Sequence, residues 1–310
     1  MSERLLRGPL LHCLGNPSHT DGAIDYQADA LLWVRDGLVH KMGPFNKLQG
    51  KLSDSEKAKI EDCSRYLMVP GFVDCHIHYP QTQMIAAYGT QLLDWLNTYT
   101  FPVEATFNNT QKAQQVAEIF IDQLLQNGTT TALVFCTVHP ESVDALFTQA
   151  QKYKMRIIAG KVLMDRNAPD NLLDTAQSGY TQSKALINKW HGKERLQYAI
   201  TPRFAPTSSA EQLKAAGRLL KEHEGVYMHT HLAENVDEIK WVKELFPESK
   251  NYLDVYDQAG LLGKRSIFAH GIHLCDEQCE RLANTDSAIA HCPSSNLFIG
   301  SGLFPMQKLQ

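Results

Sequence analysis

From Leu67 onward, short apolar runs rich in β-branched residues alternate with longer amphipathic ones. The short runs are LMVPGFVDCHIH, TTALVFCTV, RIIAGKVLM, LQYAITPRF, VYMHTHLAE, SIFAHGIHL and SAIAHCPSS. Helical patterns lie between them. In TQKAQQVAEIFIDQLLQNG, Thr110 is the expected N-cap and Gly128 the stop; SAEQLKAAGRLLKEHEG is expected to open on a capping box of Ser209 and Gln212 and to end at Gly225. Strands separated by such helices pair in parallel through helical crossovers. The strands are apolar on both faces, as a covered parallel sheet requires. An open doubly wound sheet and a closed (β/α)8 barrel both fit this rhythm. No G-x-G-x-x-G follows the first strand, which weakens the nucleotide-binding version. The polar residues collect at the C-terminal ends of the runs, where a barrel places its active site. The expected fold class is therefore α/β, a TIM-type (β/α)8 barrel with about seven of its eight strand/helix units present.

The N-terminal stretch reads differently. ALLWVRDGLVHKMGP is two apolar runs around Asp36-Gly37, a hairpin signal, and SDSEKAKIEDC reads as a polar linker. Two domains are expected: a small β portion over residues 1–66 and the barrel over 67–310. A net charge of -4 leaves no basic face for phosphates, so nucleic acid is not an expected partner. No apolar run approaches the roughly 20 residues of a membrane span. The greasy N-terminus is broken by His12, Cys13 and Gly15 and is not read as a signal peptide. Seven scattered cysteines with no C-x-x-C pair point to reduced thiols in the cytoplasm.

The chemistry begins at VPGFVDCHIHYPQ. Side chains alternate along a strand, so His76 and His78 share one face and Ile77 takes the other. Two imidazoles at a strand end are half of a metal site, since zinc and iron accept imidazole and a catalytic zinc takes three protein ligands. A His-x-His pair alone is as readily an ordinary polar strand end; behind GFVD on a buried strand, the metal reading leads. HTHLAEN supplies His231 as the third ligand, while His229 reads as a hydrogen-bonded interior histidine. Glu234, just past that strand, suits proton transfer; its ordinary reading is an N-cap or first-turn carboxylate of the next helix, and the two roles could coexist. His270 ends the sixth run, where it could hold the attacking water or a developing oxyanion; His273 reads as a loop residue. Arg203 offers a fork of donors and Phe204 an aromatic face, although a strand-end Arg is also commonly paired with a structural carboxylate. Gln81 could present its carboxamide to a flat heterocycle.

Taken together, VPGFVDCHIHYPQ, NGTTTALVF, MDRNAPD, ITPRFAPTSS, HTHLAEN, FAHGIHL and SAIAHCPSSNLFIGSG resemble the amidohydrolase superfamily, and within it the guanine deaminase family. GFVD-x-H-x-H alone indicates only the superfamily; HYPQ with PRFAPTSS and H-x-x-E-N points to guanine. The resemblance implies a metal-dependent barrel with a small β-sandwich, one Zn2+ (or Fe2+) per subunit, and a homodimer. It implies hydrolysis of guanine to xanthine and ammonia by a metal-activated hydroxide. Carried over by motif, His76, His78 and His231 are metal ligands. Glu234 is the proton shuttle and His270 contacts the attacking hydroxide. Gln81, Arg203 and Phe204 line the guanine pocket. Asp165, within MDRNAPD, is expected to have a role of its own. The family pattern has a further strand end bearing an Asp, in a GTD-like motif, and none follows SGLFPMQKLQ. The sequence is accordingly expected to be C-terminally truncated relative to the family, with weakened metal binding and impaired turnover. Two other readings stay open at this point. One is an aminohydrolase of the same superfamily acting on a pterin, cytosine or triazine. The other is a non-catalytic short form that acts by associating with other subunits.

Overall fold

A computed structural model describes residues 2–87 and 92–309. It divides into two compact units, Met1–Gly71 and Phe72–Gln310. Unit one is a four-stranded sheet of β1 (Glu3–Cys13), β2 (Ile24–Arg35), β3 (Leu38–Pro44) and β4 (Ile60–Asp62), in the order β3-β2-β1-β4. Asp36 and Gly37 form the two-residue turn between β2 and β3, both with positive φ (50° and 78°), as the Asp-Gly signal predicts. The stretch read as a linker is ordered differently. Ser53 and Glu56 cap a short helical turn, Asp54–Lys57, and the chain then returns as β4, parallel to β1 with Leu5 opposite Ile60. The unit runs on to Gly71 because Met68 is tied to β1, its N–H donating to Pro9 O and its carbonyl accepting from Leu11 N. Leu5, Leu31, Trp33, Phe45 and Leu52 form its core.

Unit two holds the parallel sheet. Its strands are β5 (Phe72–His78), β6 (Thr129–Phe135), β7 (Arg156–Gly160), β8 (Val162–Leu163), β9 (Gln197–Pro202), β10 (Tyr227–Leu232), β11 (Ser266–His270) and β12 (Ala288–Ala290). They run in the order β5-β6-β7-β9-β10-β11-β12, and β8 continues β7's path by pairing with β9. All seven expected runs are strands, and every pairing is parallel. The one break, at Lys161, separates β7 from β8. Among the described residues β5 and β12 are the two edges of this nearly closed barrel.

The helices follow the strands: α1 (Thr110–Gln126), α2 (Pro140–Lys152), α3 (Ala176–Trp190), α4 (Ala210–Glu222), α5 (Val236–Leu245), α6 (Tyr252–Gln258), α7 (Asp276–Asn284) and α8 (Pro293–Phe298). Two caps differ from expectation. Asn109, not Thr110, caps α1, its side chain accepting from Lys112 N; the carboxamide reaches the third helical N–H from a non-helical backbone. Ser209 caps α4 by accepting from Gln212 N, but the reciprocal half of the box is missing. Gln212 is drawn instead to Asp174, to which its Nε2 donates at 2.6 Å. Asp165 takes the vacated role, accepting from Ser209 N and Oγ.

Alternation along the strands sorts the core. Ala132, Val134, Ile157, Ile200, Met228 and Phe268 face the helices in one large cluster. Leu133, Ile158 and Ala199 face inward and plug the barrel below the site. Among the described residues, no helix is long and apolar enough to cross a membrane.

Candidate active site

Strand ends converge on a cavity of about 800 Å3, lined among others by His76, His78, His231, Glu234, His270 and Arg203. A bulge shapes the first contributor. β5 spends three residues from Asp74 to Ile77 while β6 spends two, Ala132 to Val134. Such an extra residue re-aims side chains at a strand end. Here His76 and His78 turn into the cavity, and Ile77 packs on the helix-facing core. Phe135, opposite His78 on β6, stacks on its ring with centroids 4.5 Å apart.

The nitrogens of His76, His78 and His231 lie within 4.8 Å of one another. Their protonation is fixed from behind. His231 Nδ1 lies 2.7 Å from the carbonyl oxygen of Arg203. A carbonyl only accepts, so Nδ1 carries the proton and Nε2 keeps its lone pair. That Nε2 is 3.1 Å from His78 Nε2. His76 Nδ1 is 2.8 Å from His229 Nε2, so His229 is the hydrogen-bonded interior histidine. Burial, with mutual repulsion second, pushes His76, His78 and His231 well below the usual imidazole range, and burial takes His229 down to about 3. All four are neutral at pH 7, the form that binds metal. Among the described residues, His78 Nδ1 and His229 Nδ1 are buried without a hydrogen-bond partner. Neutral nitrogens aimed at one another, with a tautomer locked by a backbone carbonyl, fit a divalent cation better than they fit each other.

Two left-handed backbone positions place the proton-handling residues. Ala233 (φ 48°) turns the chain out of β10, and Glu234 enters the cavity while Asn235 caps α5. Glu234 is thus not the N-cap. Glu238 completes the capping box, one oxygen accepting from Glu234 N and Asn235 N and the other from Tyr252 OH. His270 has φ 73°. Strict alternation would point it outward with Phe268, and the left-handed turn sends it into the cavity instead. Gly271 (φ 58°) continues the turn, its N–H donating to Leu232 O at 2.8 Å. His270 Nε2 then sits 3.3 Å from Glu234 Oε2, both groups buried. Burial raises the Glu234 carboxyl to about 8 and lowers the His270 imidazole. At neutral pH this is a carboxylic acid beside a neutral ring.

Arg203 projects inward from the end of β9, fully enclosed. Its Nη1 donates to Glu104 Oε2 at 2.6 Å, and its guanidinium lies 5.3 Å from the Phe101 ring centroid. Arg203 is paired with a buried carboxylate, the commoner of its two sequence readings, and it also lines the cavity. Phe204 and Gln81 also line the cavity, Gln81 from the 3-10 turn Tyr79–Met84. His273 lies outside it, its Nε2 3.0 Å from Ser301 O. Sequence reading passed over Glu104, Asn296 and Cys292. Asn296 Oδ1 is 2.8 Å from His270 Nδ1 and so fixes that ring's tautomer.

A parallel barrel whose strand ends gather histidines, an acid and an arginine defines a metal-dependent hydrolase class. The sequence profile of the amidohydrolase family matches residues 67–309. Guanine deaminase of Escherichia coli K12 is 54% identical over 295 residues, covering 95% of this chain and 67% of that protein. The solved structure of the E. coli guanine deaminase superposes with a TM-score of 0.93 at 52% identity, over 98% of this chain and 71% of the other. A guanine deaminase from C. acetobutylicum, solved with guanine bound in its active site, gives 0.90 at 32% identity, over 99% and 72%. The chain belongs to the amidohydrolase family, and within it to the guanine deaminases.

Proposed function

We infer that this chain carries out its family's reaction, in which water replaces the 2-amino group of guanine to give xanthine and ammonia. The observation that carries the residue roles is the inward face of the barrel. Three neutral imidazoles, a buried acid with a raised pKa and a buried guanidinium share one cavity.

His76, His78 and His231 would hold the metal, and we propose zinc, which favours three protein ligands at a catalytic site. When bound, such a cation is a Lewis acid that lowers the pKa of a coordinated water to about 7. The chain's own groups do the rest. Arg203 keeps donors beyond the one held by Glu104, and these suit the acceptor edge of guanine. Phe204 borders the flat ring with an aromatic face, and Gln81 offers a carboxamide to its edge. Glu234, protonated at neutral pH, gives its proton to a ring nitrogen as water attacks C2, takes a proton from the attacking oxygen and passes it to the amino group, which leaves as ammonia; the last hydroxyl proton of the new carbonyl returns to Glu234. His270 accepts the Glu234 hydroxyl at its Nε2 and, once that proton has gone to the ring nitrogen, accepts from the attacking oxygen there instead, its ring held by Asn296. We propose a homodimer, as the resemblance implies, and a reducing cytoplasmic setting, which seven free cysteines support.

The test is ammonia release from guanine by the zinc-supplied protein against a His76→Ala control. Release well above the control is expected. Equal release would remove the histidine cluster from the reaction.

A further inference from the structure

Cys292 has no part in the reaction described above, yet it lines the same cavity. It follows β12 and stands at the N-cap position of α8, its thiol donating to Ala290 O at 3.2 Å. Its sulfur and ring nitrogens of His76 and His270 all lie within 4.8 Å of one another. The tautomer of His270 is already suitable. Asn296, on the same short helix, accepts from Nδ1 and leaves Nε2 with its lone pair. His76 is tied to His229 through Nδ1, and with His76 as donor its Nε2 is likewise a bare lone pair.

We propose that His76, His270 and Cys292 form a second metal position, selective for thiophilic cations of the cadmium class and mutually exclusive with the His76–His78–His231 position. Selectivity follows from the donors. The first position is three imidazoles, while the second replaces one with sulfur, which soft cations prefer. The thiol donates to Ala290 O and so carries its proton, and sulfur becomes a ligand only for a cation that binds thiolate strongly enough to displace that proton to water. No electron is transferred; one S–H bond is exchanged for one sulfur–metal bond. Exclusivity follows from the shared residue, since a cation that takes His76 takes it from the first position. It also draws His270 away from Glu234. A thiophilic cation would therefore shut the site from within, without entering the three-imidazole position.

This inference rests on His76 serving the first position, and residues unique to each set separate the two. Cadmium ion is titrated into the protein while the ultraviolet thiolate-to-cadmium charge-transfer band is followed. In parallel, alkylation of Cys292 by iodoacetamide is timed by peptide mass. The expected result is a band that saturates near one equivalent, with Cys292 alkylation slowed at least about tenfold. Cys292→Ser should lose that band and keep zinc binding. His78→Ala should lose zinc binding and keep the band. A full-strength band in Cys292→Ser, or unchanged alkylation of Cys292 in the presence of cadmium, would overturn the proposal. Loss of zinc binding with the cadmium results intact would count against the first position alone.

Discussion

At the scale of single residues, the site depends on groups whose protons are held in fixed places. Glu234 is the sharpest case. Its carboxyl is buried, is pushed up to about 8 by that burial, and lies 3.3 Å from a neutral imidazole. A glutamine there keeps the shape and cannot release a proton. Glu234→Gln should lower kcat on guanine by about 100- to 10,000-fold, the usual range for positioned acid–base catalysis, while zinc content stays unchanged. Steady-state kinetics beside metal analysis checks this, and an unaltered kcat would take Glu234 out of the proton path. Arg203 shows a different dependence. Its guanidinium is fixed by Glu104, and its backbone carbonyl fixes the tautomer of His231. In the proposed roles, one residue would orient both the substrate edge and the metal edge of the cavity, the latter by an atom that side-chain substitution leaves in place.

The strands and helices show how far such a site can be read ahead of the structure. His76, His78, Arg203 and His231 share the inward face that alternation assigns them, with the phase of β5 set by its bulge between Asp74 and Ile77. His270 breaks that rule. It reaches the cavity through a left-handed backbone, which no periodicity reveals in a non-glycine residue. Glu104 was illegible for another reason: it belongs to a helical excursion between β5 and α1, and its partner lies 99 residues away. Gln212 looked like a capping partner because local spacing cannot show that Asp174 will compete for it. The closeness of the strands is itself testable. Gly160 ends β7 against β9, and a Cβ built there would stand 1.7 Å from Ala199 O. A backbone carbonyl in a parallel sheet cannot step aside. Gly160→Ala should therefore cost about 3 kcal/mol, the upper end of overpacking, and lower the melting temperature by several degrees. An unchanged melt would mean that β7 and β9 do not approach as described.

For the molecule as a whole, the histidine cluster exists only when the barrel is formed. The contacts of His76 with His229 and of His78 with His231 each join residues 153 positions apart. An unfolded chain holds no such set, so a metal bound there binds the native state and stabilises it by mass action. At a free zinc concentration about 100-fold above the dissociation constant, the gain is about 2.7 kcal/mol. That is enough to raise the melting temperature of a chain this size by several degrees. The neutral state of the cluster favours the effect, because burial has already removed the protons that would compete with the cation. Zinc should therefore shift the thermal melt upward and a chelator should reverse the shift. His78→Ala should abolish the response because it removes a ligand of the first position. Cys292→Ser should preserve it because sulfur is no part of that position. If His78→Ala melted with the same zinc-dependent shift as the unaltered protein, the cation would be stabilising some other part of the chain. The convergence of the three imidazoles would then have to be explained by hydrogen bonding alone, which the unpartnered nitrogens of His78 and His229 argue against.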